Sequence, residues 1–172
     1  MKKTIQSLIV HPVLLFVLLV AFSLQLSSCN KIDVFEKDVT IPQYEWQYSF
    51  VPSYQFNITD TTSKYHVYVV LRHTDAYRYN NIWLNIGFKA PEDSLRNVQF
   101  EFTLGNDANG WDGTGMDDIW EVRKLVTNGP QEYFTFKKPG EYKFTLAQAM
   151  RENPLKNIMD AGIRVEKVKE NN

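Results

Sequence analysis

The sequence predicts an all-β fold, an antiparallel β-sandwich of about eight strands, immunoglobulin-like or jelly-roll-like, with a short helical turn near the C-terminus. Two observations carry that prediction. Beyond residue 40, apolar residues alternate with polar ones at period two in short runs, the pattern of strands that bury one face. No segment there holds the 3.6-residue period long enough for an amphipathic helix, so the layers that enclose the core must be sheets.

The elements follow in order. Residues 47–58 supply one or two strands, interrupted at Pro52. Residues 65–71 are apolar on both faces and rich in β-branched side chains, which marks a central strand. Residues 81–88 place Ile82, Leu84, Ile86 and Phe88 on one face and Trp83 on the other. In the next run Val98, Phe100, Phe102 and Leu104 alternate with Gln99, Glu101 and Thr103, so Phe100 and Phe102 are expected in the core. Trp120 and Val122 mark a further strand. Pro139-Gly140 suits the central positions of a type II turn, because proline presets the first φ and glycine accepts a positive second one. The turn is expected to join residues 133–137 to residues 141–146 as a hairpin. Ile163 and Val165, offset from Arg164 and Glu166, give the last strand. Leu155, Ile158 and Met159 have i, i+3, i+4 spacing after Pro154, which predicts the helical turn.

The N-terminus reads as an address. Lys2 and Lys3 precede an apolar run, residues 12–22, that is too short to span a bilayer. Then comes Leu26-Ser27-Ser28-Cys29, an aliphatic residue, two small ones and a cysteine, which resembles the lipobox at which a bacterial lipoprotein is cut and acylated. The expected division is a signal peptide at 1–28, a lipid-anchored tether at 29–40 and a sandwich domain at 41–172. Each buried methylene contributes about 0.8 kcal/mol, so several acyl chains on Cys29 would hold the protein in its membrane permanently. Asn30 stands where an aspartate retains lipoproteins in the inner membrane of well-studied envelopes, and by that resemblance the outer membrane is expected. Residues 31–38 lack a compact acidic run, which favours the periplasmic side.

Charge and cysteine content narrow the function. The formal net charge is −1, and removing the leader takes away two lysines and no acid, so the domain lacks the basic balance that phosphate contacts demand. Nucleic acid is not an expected partner. Cys29 is the only cysteine, and with its sulfur acylated the domain has neither a disulfide nor a catalytic or zinc-binding thiol.

Arg72-His73-Thr74-Asp75-Ala76-Tyr77 closes the central strand and leads through Tyr79-Asn80-Asn81 into Trp83. Loops at strand ends carry function in sandwiches, and Arg, Tyr and Trp are the residues that anchor interfaces. Arg72, His73, Asp75, Tyr77, Tyr79, Asn80 and Trp83 are therefore the candidate partner-binding set. The bland reading makes the same residues turn formers and a roof over the core. His66 and His73 are seven apart, so a regular strand points them to opposite faces and a shared metal is not expected. Residues 105–118 have the oxygen-rich composition that calcium prefers, but the EF-hand spacing puts Trp111 where an oxygen ligand belongs. No Gly-x-Ser-x-Gly elbow occurs, and Ser49, Ser53, Ser63 and Ser94 have no evident base beside them. No catalytic residue, metal or cofactor is expected.

The order of these motifs is distinctive. Leu71-Arg72-His73-Thr74-Asp75-Ala76-Tyr77 with Tyr79-Asn80-Asn81-Ile82-Trp83-Leu84, then Trp111-Asp112-Gly113-Thr114-Gly115-Met116-Asp117-Asp118-Ile119, resembles the GldH gliding-motility lipoproteins of the Bacteroidetes. The runs at 150–155 and 160–166 match the same family, so the resemblance covers nearly the whole mature chain. One departure is Asp117, where the family commonly has glycine, which puts the backbone geometry of that loop in question. The resemblance implies a non-catalytic envelope component of the gliding apparatus and its associated secretion machinery, with other envelope proteins as partners. The alternative is a glycan-binding outer-membrane lipoprotein, which would need two of Trp46, Trp83, Trp111 and Trp120 on one exposed face.

Overall fold

The computed structural model describes residues 34–127 and 129–169. Two antiparallel sheets pack face to face. The five-stranded sheet has the order β1-β13-β4-β10-β9, built from β1 (Val34–Thr40), β4 (Tyr65–Thr74), β9 (Thr114–Met116), β10 (Ile119–Leu125) and β13 (Ile158–Lys167). The four-stranded sheet has the order β3-β11-β5-β6, from β3 (Ser53–Ile58), β5 (Asn81–Lys89), β6 (Arg96–Thr103) and β11 (Gly140–Gln148). Two small ribbons complete it, β2 (Glu45–Trp46) with β12 (Leu155–Lys156) and β7 (Gly105–Asn106) with β8 (Gly110–Trp111).

The period-two pattern places the core between the sheets. Val67, Val69 and Leu71 of the central strand β4 are buried on its inner face, and Leu84, Ile86, Phe144 and Leu146 meet them from the other sheet. Aromatic contacts seal one side, with Phe35 of β1 against Phe56 of β3 at 5.0 Å between ring centroids. The buried Tyr54 hydroxyl of β3 donates to the Ala161 carbonyl of β13 at 2.5 Å, a hydrogen bond between the two layers.

Four expectations need correction. β1 occupies residues assigned to the tether, because its alternate residues Phe35 and Val39 pack on the core and its backbone pairs with β13 from Val34↔Glu166 to Thr40↔Asp160. The helical turn at 155–159 is absent. Leu155 lies in β12 and Ile158 begins β13, while Asn157 between them has φ 68, outside the helical region. Among the described residues one short 3-10 turn occurs, at Pro42–Tyr44. The hairpin of 133–137 with 141–146 does not form, since β11 is already paired on both edges, with β3 and β5. Residues 133–137 make only one bridge, Phe134 to Tyr65. Gly140 does take the positive φ expected of it, at 129. On β6, Phe102 is buried and Phe100 half-buried, but Val98 is 54% exposed although it shares their face. β6 is the edge of its sheet, and its burial fades from Phe102 toward its first residues.

The long connection from β6 to β10 depends on glycine at one place above all. A Cβ at Gly113, φ 90, would lie 2.1 Å from the Glu121 carbonyl oxygen. Asp117 is the first of two residues linking β9 to β10 and has φ 55, so aspartate here adopts the left-handed conformation that glycine would supply.

Candidate functional site

β4 ends at Thr74 and the chain turns toward β5. The Tyr77 amide donates to the Thr74 carbonyl at 3.0 Å, and the Asp75 amide to the Asp118 carbonyl at 2.8 Å. This turn folds its aromatics inward. Tyr77 is 3% exposed, its hydroxyl donates to the Asn81 carbonyl at 3.0 Å, and its ring lies among those of His73, Tyr79 and Trp111. His73 is fully buried, with Nδ1 3.1 Å from the Thr74 carbonyl and Nε2 without a hydrogen-bond partner. Burial pushes its imidazole below the ordinary histidine pKa. His73 and Tyr77 therefore leave the partner-binding set and belong to the core.

Arg72 points the other way, as strand alternation requires. On the outer face of the five-stranded sheet it bonds Glu121 at 2.9 Å and Asp160 at 3.1 Å. Asp160 also accepts from the Thr40 hydroxyl at 2.8 Å. The network runs on through Arg123, 2.9 Å from Glu121 and 3.1 Å from Glu36, to Arg164, which bonds Glu36 and Glu166. It ties together β1, β13, β4 and β10. Asp75 is exposed and accepts the Trp120 indole N–H at 2.5 Å. Asn80 is exposed, and its carbonyl accepts from the Leu104 amide at 2.7 Å.

Tyr79 and Trp83 remain together at the surface. They line a cleft of about 520 Å³ with Asn81, with Gln99 of β6, and with Ala149, Met150 and Arg151 beyond the end of β11. Trp83 is 36% exposed. Its amide donates to Met150 Sδ at 3.2 Å and its carbonyl accepts from the Ala149 amide at 2.8 Å, so residues past β11 continue the sheet edge there. Tyr79 donates its hydroxyl to Glu152 at 2.9 Å, and that carboxylate raises the phenol pKa. Asn81 donates to Glu101 at 2.6 Å. The buried Gln148 holds the far wall, giving Nε2 to the Trp46 and Glu152 carbonyls at 3.3 and 3.1 Å and accepting from the Met150 amide at 2.8 Å.

Sequence reasoning missed Gln99, Met150, Arg151 and Glu152 as companions of Trp83. The run at 150–155 was visible as a motif, but only the register of β11 against β5 shows which loop it faces. The cleft presents two aromatic rings, a thioether, amides and a guanidinium, a set that grips a ligand by stacking and hydrogen bonding. His66 and His73 lie on opposite faces of β4, and among the described residues no three His, Cys, Asp or Glu converge to hold a metal ion. The four tryptophans do not form an exposed platform. Trp46 is fully buried, Trp111 packs on His73, and Trp120 covers Gly115 in the other sheet from Trp83. Cys29 lies outside the described residues.

Comparison with known proteins bears on the whole domain. The chain is 28% identical over 148 residues to a gliding motility lipoprotein GldH homolog of Christiangramia forsetii, covering 82% of this chain and 88% of the relative. It is 29% identical over 156 residues to the gliding motility lipoprotein GldH of Flavobacterium johnsoniae, covering 87% and 94%. Among solved structures, a non-crystalline-cellulose-specific carbohydrate-binding module covers 78% of this chain and 73% of the module, with 13% identity and a TM-score of 0.34. A subviral particle of the infectious bursal disease virus protein VP2 covers 77% and 32%, with 11% identity and a TM-score of 0.32. At those values neither likeness bears on function. The model of the GldH lipoprotein family matches residues 33–165, nearly the whole described domain, and the chain belongs to that family.

Proposed function

We propose that this protein is a non-catalytic, partner-binding component of the gliding apparatus and its associated secretion machinery, anchored through acylated Cys29 in the outer membrane and facing the periplasm. Family membership supports the gliding role, and the cleft around Trp83 supports the mode of action. A half-exposed indole beside a tyrosine, with a guanidinium at the rim, is the composition of an interface anchor. Of the residues first considered, Tyr79 and Trp83 are the contact residues, Asp75 and Asn80 lie on the neighbouring turn, and Arg72 serves the network on the outer face of the five-stranded sheet. The alternative, a glycan-binding lipoprotein, draws on the same cleft, where Trp83 and Tyr79 stand beside the amides of Asn81 and Gln99.

The test is affinity capture of the acylated protein from its own envelope. A specific set of envelope proteins should copurify, and Trp83→Ala should lose them while keeping its thermal midpoint. Retention of the set by Trp83→Ala would move the contact surface elsewhere. Loss of polysaccharide binding in that variant, with the protein set intact, would establish the alternative. Cys29→Ser should abolish labelling by a fatty-acid analogue.

A further inference from the structure

The strands of both sheets run between two poles. At one pole β1 begins, β13 ends and β4 begins, with Val34 paired to Glu166 and Lys167 to Tyr65. The segments 59–64 and 130–139 close that pole, Phe134 bridging to Tyr65 and Gly140 pairing with Ile58. At the other pole β1 meets Asp160 and β4 meets Ile119, and the turn at 75–80 lies with the segments 107–118 and 149–157.

Charge divides between the poles. The first carries Lys64, Lys137, Lys138, Lys167 and Lys169, flanked by Lys89 and Arg96. Its acids are Asp60, Glu92, Asp93, Glu132, Glu141 and Glu166, with Lys143 and Arg164 as further bases at its edge. Asp60 is bound to Lys167 at 2.6 Å, and Glu92 and Asp93 lie 3.5 and 3.9 Å from Lys138. The opposite pole carries Glu45, Asp75, Asp107, Asp112, Asp117, Asp118, Glu152 and Asp160 against Arg72, Arg78, Arg151 and Lys156. The sandwich is thus basic at one end and acidic at the other, although the whole chain is close to neutral.

We propose that the basic pole docks on a phosphate-bearing lipid surface and that this contact aims the acidic pole, with the Tyr79–Trp83 cleft, away from the bilayer. The inference rests on the reading of Cys29 as the acylated residue. Val34 follows Cys29 by five positions, and an extended chain covers at most about 3.6 Å per residue, so this pole stays within about 18 Å of the anchor. β4, with 10 residues, separates the poles by about 33 Å. The tether is shorter than the domain. It delivers the basic end to the surface, where lysines meet anionic headgroups within a Debye length of about 8 Å. A groove at this pole is lined by Val34, Lys64, Tyr133, Lys167 and Lys169 together with the Arg164–Glu166 pair, and the Lys64 ammonium stands 5.3 Å from the centre of the Tyr133 ring. Lysines around a part-apolar floor suit the headgroup region of a bilayer better than open water.

The test uses the full acylated protein in vesicles of phosphatidylethanolamine and phosphatidylglycerol that carry a headgroup-borne quencher. Cys29 is the only cysteine and is acylated, so a single added cysteine takes a fluorophore alone. Thr62→Cys reports the basic pole and Met116→Cys, at a residue 74% exposed, the acidic one. The Thr62 probe should be quenched several-fold more than the Met116 probe. Replacing Lys64 and Lys169 by Glu, or raising salt to about 1 M, should narrow the difference by about half. Equal quenching, deeper quenching at Met116, or a difference indifferent to salt and charge overturns the docking. Mass spectrometry of Cys29 separates the two readings, since an unacylated chain that stays in solution refutes the anchor itself, and an acylated chain with equal quenching refutes only the orientation.

Discussion

The imidazole of His73 and the indole of Trp111 meet edge to face, with ring centroids 4.5 Å apart and planes at 66°. That contact joins the central strand to the glycine-rich connection after β6, and it holds a histidine with an unpartnered Nε2 in the core. The folded protein disfavours the imidazolium, while the unfolded chain titrates near 6.5. Above that pH the site is neutral in both states. Below it the unfolded chain binds a proton that the folded protein refuses, so stability falls as pH drops from about 6.5. The thermal midpoint should decline between about pH 7 and pH 5, and His73→Asn should lower it throughout while flattening that slope. An unchanged slope would show that another group governs the window.

Arg72 supports Asp160 in the fold. Asp160 is buried, and it accepts from Arg72 and Thr40 across three adjacent strands. Removing the guanidinium strips a buried carboxylate of its counter-charge, a loss of about 1–3 kcal/mol, whereas an exposed pair is worth about 0–1. Denaturant unfolding of Arg72→Ala should show the larger loss, and Lys138→Ala, which breaks the exposed pair with Glu92, the smaller. Equal effects would mean that water satisfies Asp160.

Legibility in the sequence followed the number of faces that each residue constrains. β4 was readable because residues 65–71 are largely apolar and β-branched with every inward residue buried, and β5 because four apolar residues alternate without a break. β1 was not, since it packs only Phe35 and Val39 on the core and its outward Glu36 serves the ion network, so its pattern resembles a linker. Leu155, Ile158 and Met159 kept a helical spacing by coincidence. Asn157 interrupts them, and pairing with β2 and β4 decides the backbone. For the site, the segment 72–83 was visible as a concentration of arginine and aromatic residues, but composition does not reveal which of its aromatics turn inward. Burial of Tyr77 depends on Trp111, about thirty residues on, and such pairing has no local signal.

The covering of β6 makes a graded prediction. Phe102→Ala removes a buried ring stacked 5.9 Å from Phe100 and should cost about 3–5 kcal/mol. Val98 shares that face but is largely exposed, so Val98→Ala should stay within about 0.5 kcal/mol. Chemical denaturation of the two variants measures both. A costly Val98→Ala would mean that the free edge of β6 is covered in solution, by a second copy or a partner strand.

Tyr77 and Trp83 separate scaffold from surface within one short segment. Tyr77 is enclosed by three aromatic rings and bonds the Asn81 carbonyl at the start of β5, so Tyr77→Ala should cost about 3–5 kcal/mol and Tyr77→Phe about 1. Trp83 projects from the outer face of the four-stranded sheet into the cleft, and only its backbone holds Ala149 and Met150. Trp83→Ala should therefore shift stability by no more than about 0.5–1 kcal/mol, and as an interface anchor it should weaken association with a captured envelope partner by about 1–3 kcal/mol. Calorimetry gives the first pair of values and titration against the partner the second. If Trp83→Ala unfolds the domain, or if Tyr77→Phe alone abolishes association at full stability, the division between inner and outer aromatics drawn from their burial is wrong.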